Sequence, residues 1–237
     1  MNRRPLASYA LILLNVIVFV WQLLTHGLDS EAELQAHGAL NGSLVMQGQW
    51  WRIFSGAFEH GGYLHIALNM FALLQVGSFV EMVAGRWRML AIYFIALVGS
   101  GLAVTYFAPN TDTVGASGAI FGLFGALVAI GIRLGKAGRS LITQTLPIIG
   151  INLFLTFTIP QISIAAHVGG LISGFASGLA IFMMQRRGTV VAEQSEADEL
   201  SIHPEEALVR ATAAPEAGED LAHEAGDVHE VTEEGSR

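Results

Sequence analysis

ISIAAHVGGLISGFASGLAIFMM, residues 162–184, carries no charged residue, yet it holds a histidine, His167, near its start. A run of about 20 apolar residues crosses the hydrocarbon core of a bilayer as a helix. That core penalises polar side chains, so an ionisable residue within it marks a functional path or site. After His167 come Gly170, Gly174 and Gly178, at offsets of three, seven and eleven, on one helical face. Small residues spaced by four let two helix backbones pack closely in lipid. The stretch therefore reads as a membrane span with a close-packing face and one histidine on that face.

Five further apolar runs of spanning length precede it, at roughly 7–25, 63–82, 87–108, 115–132 and 141–159, the fourth being short. The chain has 237 residues, 52% hydrophobic and 14% charged. A soluble domain carries about 25% charged residues. The sequence has no cysteine, which excludes disulfides, thiolate metal sites and a cysteine nucleophile. Its net charge of −8 is a property of one end: 14 of the 20 acidic residues follow Gly188. The first 188 residues hold 6 acids against 10 basic residues, with no basic patch to recruit nucleic acid. Residues 188–237, rich in Glu, Ala and Gly and poor in aromatics, read as a disordered cytoplasmic tail behind a membrane domain at 1–187. The fold class expected is an all-α polytopic membrane protein with six transmembrane helices.

Orientation follows from the basic residues. Arg3, Arg4, Arg86, Arg88, Arg133, Lys136, Arg139, Arg186 and Arg187 fall on one side of the six spans, and only Arg52 falls on the other. The positive-inside bias puts both ends in the cytoplasm. The first run is expected to be retained: its apolar core exceeds a signal-peptide core, and no small-x-small cleavage site follows closely. With no organelle-targeting extension in the sequence given, a prokaryotic plasma membrane is expected. Trp21, Trp50, Trp51 and Trp87 fall near span ends or in the first outer loop, as an aromatic belt requires. That loop, about 26–62, is long for a compact protein, which points to a functional or partly structured segment. Its Trp50-Trp51-Arg52-Ile53-Phe54 stretch is amphipathic enough to rest at the lipid interface.

Polar residues inside the even-numbered spans share one level. His65 and Asn69 come early in the second span, Ser117 opens the fourth within Gly115-Ala116-Ser117-Gly118, and His167 comes early in the sixth. All three spans run from outside to inside, so at about 1.5 Å per residue each group lies roughly 5–10 Å below the outer boundary. A serine hydroxyl is a weak nucleophile until a base activates it, and histidine titrates in the useful range. Ser117 at a helix amino terminus also faces free N–H groups and the positive end of the helix dipole, which favour an oxyanion. His65 and Asn69, four apart, share a face from which an imidazole and an amide are suitable oxyanion donors. Alone, each feature has a structural reading: Gly115, Gly118, Gly122 and Gly125 as packing residues, His167 as an interhelical hydrogen bond, His65 and Asn69 as a polar clamp. No carboxylate lies at this level, since Glu81 is at the opposite end of the second span and Glu59 is in the loop. Catalysis would then use a Ser117–His167 dyad. No metal site is expected, because His60, His65 and His167 lack an accompanying acid or a His-Glu-x-x-His pattern.

Taken in order, these residues resemble the rhomboid family of intramembrane serine proteases. The resemblance covers about residues 5–187 and rests on Trp51-Arg52, on His60 followed by His65-Ile66-Ala67-Leu68-Asn69, on Gly115-Ala116-Ser117-Gly118, and on Ala166-His167-Val168-Gly169-Gly170 with Gly174. It implies a rhomboid-like six-helix bundle with an interfacial first loop. It implies a nucleophile at Ser117, a general base at His167, and oxyanion stabilisation by Asn69, the Ser117 amide and His65. Gly115, Gly118, Gly170, Gly174, His60 and Phe121 take supporting places. A tyrosine stacks on the histidine in some members; here Phe121 holds that position, keeping the stacking and losing the hydroxyl. The fifth span (Thr143, Pro147, Gly150, Asn152) carries no matching motif. The expected partners are the lipid bilayer and single-span membrane proteins cut near their outer ends, with no cofactor. Two other classes compete: a non-catalytic rhomboid-like protein that binds membrane clients, and a proton-linked transporter using His65, Asn69 and His167. Relatives of the first class typically lack the serine or the histidine, and the second needs polar residues through the full depth of the spans.

Overall fold

The computed structural model describes residues 4–159 and 162–183; the acidic tail expected from 188 lies outside them. Among the described residues, six helices are long and apolar enough to cross a membrane, and they coincide with the six apolar runs. They are α1 (Leu6–Leu24), the second span built of α5 (Tyr63–Ala72), a π-helical turn (Leu73–Gly77) and α6 (Ser78–Ala84), then α7 (Arg86–Phe107), α8 (Ser117–Leu134), α9 (Arg139–Thr158) and α10 (Ile164–Met183). Three short helices, α2 (Glu31–His37), α3 (Gly42–Met46) and α4 (Arg52–Phe58), occupy the first loop.

Helix α8 is the centre. It is 72% buried over its most apolar window, against 17% for α9, and it packs against α10, α7 and α9. The closest of these contacts is with α10 and is made of glycine. A Cβ on Gly170 would strike the carbonyl of Gly118, and one on Gly174 would strike the backbone of Gly122. A backbone cannot yield as a flexible side chain can, so only glycine permits this approach. The outward faces of α1, α9 and α10 expose large apolar side chains such as Leu13, Ile17, Phe154, Phe157 and Ile172, as lipid-facing surfaces require.

At the end of the bundle away from Ser117, the first span is tied down by an acid. The Glu81 carboxylate on α6 accepts from the backbone N–H of Ala7 (3.0 Å) and of Ser8 (2.8 Å), and from the Ser8 hydroxyl (2.9 Å). The first N–H groups of a helix have no partner of their own, and a negative charge there suits the helix dipole. A buried acid on one helix thus caps another.

The first loop is a folded unit. Ser30 caps α2 by accepting from Glu33 N–H, Asn41 caps α3 by accepting from Leu44 N–H, and Gly38 ends α2 at φ 140°. Trp50, Trp51 and Phe54 are exposed, as expected of an interfacial stretch, but Arg52 and Ile53 between them are buried. The Arg52 guanidinium points inward, donating to the carbonyls of Gln35 (2.7 Å) and Ala39 (2.9 Å) and to Gln49 Oε1 (2.6 Å). It satisfies chain turns inside the loop and does not reach for lipid headgroups.

Replacing Glu81 with Ala leaves two α1 amides unpaired beside a cavity. Thermal and denaturant unfolding in detergent micelles should show a loss on the order of 2–3 kcal/mol, typical of removing hydrogen bonds to a charged group. Glu81→Gln, which keeps an acceptor, should lose less.

Candidate active site

Ser117 opens α8 from a loop that the first loop holds in place. Leu40 and Thr113 pair as an isolated antiparallel bridge, N–H to carbonyl at 3.0 and 2.8 Å, and the Gly115 N–H donates to the Gly56 carbonyl at 2.8 Å. Asp112 accepts from Asn41 (2.8 Å) and Gln35 (3.1 Å), which brings the α2–α3 region onto the same segment. The turn into α8 needs Gly115, whose φ is +113° and whose absent Cβ would lie 2.8 Å from the His65 ring. The first bond back into the helix runs from Ile120 N–H to the Ala116 carbonyl, so the Ser117 amide stands ahead of the helical ladder.

His167 lies in the first turn of α10, buried, with its Nε2 2.8 Å from Ser117 Oγ. Phe121, one turn into α8, stacks on the imidazole at a centroid distance of 4.1 Å and 16° between planes. The other ring nitrogen, Nδ1, is 2.7 Å from the Thr156 hydroxyl of α9. Gly170 and Gly174 act on this geometry through the backbone contact that sets the height of α10 against α8.

His65 and Asn69 of α5 border Ser117 across Gly115. The Gly61 N–H donates to His65 Nδ1 at 3.2 Å, so a neutral His65 ring carries its proton on Nε2. That nitrogen lies beside Gly115, 2.8 Å from where a Cβ would stand. Asn69 gives one amide N–H to the His65 carbonyl at 2.9 Å and keeps its second for another acceptor. Behind Ser117 a small recess is lined by Leu40, Ile53, Leu97, Ser100, Gly118 and Ala166.

The fold brings Ser117, His167, His65, Asn69, Gly115, Gly118 and Phe121 to one end of the bundle, as the depth argument requires. His60 stands apart from Ser117: fully buried, it gives its backbone N–H to Gln22 Oε1 of α1 (2.9 Å) and sets its ring edge-on to His65 at 5.2 Å. Two features escape a sequence reading. The recess draws on the first loop and three helices, which no local pattern joins. Thr156 is one of two threonines near the carboxyl end of the fifth span, the other being Thr158; that span runs inside to outside, so depth would have put both near the level of His167 without choosing between them.

Residues 47–184 match the family model described as Rhomboid domain. The rhomboid protease GluP of Bacillus subtilis is 37% identical over 181 residues, covering 76% of this chain and 36% of its own. RHOMBOID-like protein 5 of Arabidopsis thaliana is 35% identical over 162 residues, covering 66% of this chain and 52% of its own. Rhomboid-like protease 1 of Toxoplasma gondii is 30% identical over 179 residues, covering 70% and 61%. The chain thus spans between about a third and three fifths of the length of these relatives.

Two ionisable groups, Glu59 and His60, lie in the first loop just ahead of the second span. Burial pushes His60 down to about 4, helped by neighbouring His65 and opposed by the Phe58 carbonyl, so its ring is neutral at physiological pH. Burial pushes Glu59 up from 4.5 to about 7 against the pull of Arg52. The folded state therefore holds a proton on Glu59 that the unfolded chain has released. The stability this contributes is full below pH 4.5 and is lost as pH rises through about 7. Unfolding followed from about pH 5 to about pH 8 should show wild-type stability falling from this source, and Glu59→Gln should remove that part of the fall. An unchanged pH slope in the variant would refute it.

Proposed function

The chain belongs to the rhomboid family, and on that premise we propose that it is an intramembrane serine endopeptidase whose nucleophile is Ser117 and whose general base is His167. It is a multi-pass membrane protein. The observation that carries the catalytic reading is the 2.8 Å separation of Ser117 Oγ and His167 Nε2 at the amino termini of two glycine-packed helices.

In this mechanism Nε2 takes the hydroxyl proton as Oγ attacks the scissile carbonyl carbon. The negative charge that develops on the carbonyl oxygen meets the Ser117 amide, the free N–H of Asn69 and the Nε2–H of His65, all borne by rigid helices. The imidazolium then returns its proton to the leaving amine, which leaves an acyl group on Ser117. A water deprotonated by His167 releases it. Phe121 limits the ring to a rotation in its own plane, since sliding off the stacked face would expose both.

The surroundings support the substrate class that the family resemblance implies. An unwound peptide exposes backbone polar groups that lipid cannot satisfy, so the scissile segment must reach the polar end of the bundle. The recess behind Ser117, walled by Leu97, Ile53 and Ala166, suits a small apolar side chain. We therefore assign as substrates single-span membrane proteins cut near the outer end of the span, with small residues at the cut. The positive-inside bias supports cytoplasmic termini and a site towards the outer face, and the Bacillus relative fits a bacterial plasma membrane.

Purified protein in liposomes should cleave a single-span test substrate and react with a fluorophosphonate probe. Ser117→Ala should abolish both and keep the unfolding profile; cleavage at the wild-type rate would remove Ser117 from the mechanism. His167→Ala should be comparably inactive. Asn69→Ala should retain partial activity, reduced by a factor on the order of 10²–10³ for one oxyanion donor.

A further inference from the structure

We infer that Thr156 is a positioning residue of the catalytic centre, a neutral hydroxyl on α9 that fixes both the tautomer and the aim of His167; this rests on the Ser117–His167 reading above. The Thr156 side chain is buried, with Oγ1 2.7 Å from His167 Nδ1 and 2.7 Å from the Asn152 carbonyl oxygen one turn earlier in α9.

A hydroxyl has one proton to give. The Asn152 carbonyl can only accept, and two oxygens at 2.7 Å with no proton between them would repel, so the Thr156 proton points at Asn152. The contact with Nδ1 must then be supplied by the ring: Nδ1–H donates to Oγ1. A neutral imidazole carries one N–H, which leaves Nε2 bare, with its lone pair towards Ser117 Oγ at 2.8 Å. The result is three hydrogen bonds in one direction, from Ser117 to His167, from His167 to Thr156 and from Thr156 to Asn152. The opposite tautomer would aim an N–H at Ser117 and leave no base.

The same line serves the charged state. When Nε2 takes the serine proton, Nδ1–H keeps its place and its bond to Oγ1 becomes charge-assisted and stronger. No proton leaves Nδ1, so Thr156 orients the ring and supports its charge without touching substrate. Among the described residues no carboxylate is hydrogen-bonded to His167, and a hydroxyl backed by a carbonyl takes that duty over. Since α9 is the least buried of the six spans, the bond also makes alignment of the base depend on the seating of α9.

The test uses the full chain in liposomes with a single-span substrate. Thr156→Val keeps shape and loses the hydroxyl; kcat should fall roughly 5–20-fold with KM within about twofold, the pattern of an interaction felt mainly in the transition state. Thr156→Ser should restore kcat to within about twofold of wild type. A second readout does not depend on turnover: nitrogen NMR of the histidine-labelled chain, with His167→Ala to assign its signals among the 8 histidines, should find Nδ1 protonated and Nε2 bare. Ser117→Ala should leave that tautomer unchanged, because Thr156 alone sets it. Protonation of Nε2 in the wild type overturns the inference, as does a Thr156→Val enzyme with wild-type kcat or a Thr156→Ser enzyme as impaired as the valine variant. Should the valine variant not fold, the wild-type tautomer and the serine variant decide. Continued cleavage by Ser117→Ala would instead sink the nucleophile assignment, and the tautomer result would stand or fall separately.

Discussion

The arrangement of the site depends on the bare-backbone contact between α8 and α10. Lipid tails are as apolar as leucine, so burying hydrocarbon does not drive helices together within a bilayer; close van der Waals approach does. Gly170 against Gly118 and Gly174 against Gly122 bring the two backbones nearer than any side chain would allow. The contact also fixes height. Gly118 follows Ser117 directly and Gly170 is one turn beyond His167, so the register that lets the glycines meet is the one that sets imidazole against hydroxyl. A slip by one turn would lose both together.

Around that contact a polar cluster holds each end of the bundle. At one end Glu81 caps α1, adding charge-assisted hydrogen bonds to the packing of the first span against the second. At the other, the first loop is built from its own caps and from Arg52, and it grips the segment from Asp112 to Gly115 that leads into Ser117. Ser117 is therefore presented by a helix start held from two sides, by glycine packing below and by loop hydrogen bonds above. This matters to the proposed mechanism, because an oxyanion site works by donors already in place when charge develops.

Much of this could be read from the chain before any coordinates. Ser117, His167, His65 and Asn69 stand out because each interrupts an apolar run, and counting residues from the span ends puts them at one level. The resemblance put Phe121 at the place of a tyrosine that stacks on the histidine in some members, so its stacking was open to expectation. Arg52 was harder: charge statistics and the two exposed tryptophans just before it suggest a surface residue, whereas the side chain turns inward to satisfy carbonyls of its own loop. Thr156 and the Gly61 amide, which set the hydrogen-bonding of the two histidines, carry no motif; depth places Thr156 near His167 but not in contact with it. A threonine in an apolar helix commonly bonds its own preceding turn, and Thr156 does that as well.

Hydropathy and period are local properties, carried by neighbouring residues along the chain, and so the number of spans, their limits, their small-residue faces and the level of each polar group were determined by sequence alone. Which nitrogen of each imidazole bears a proton, what lines the recess behind Ser117 and where Arg52 points were decided by tertiary structure. Those depend on partners 11 residues away, as for Thr156 and His167, or 50, as for Ser117 and His167. A hydrogen bond acts only within about 3 Å, and no pattern along the chain records which distant groups packing will bring that close.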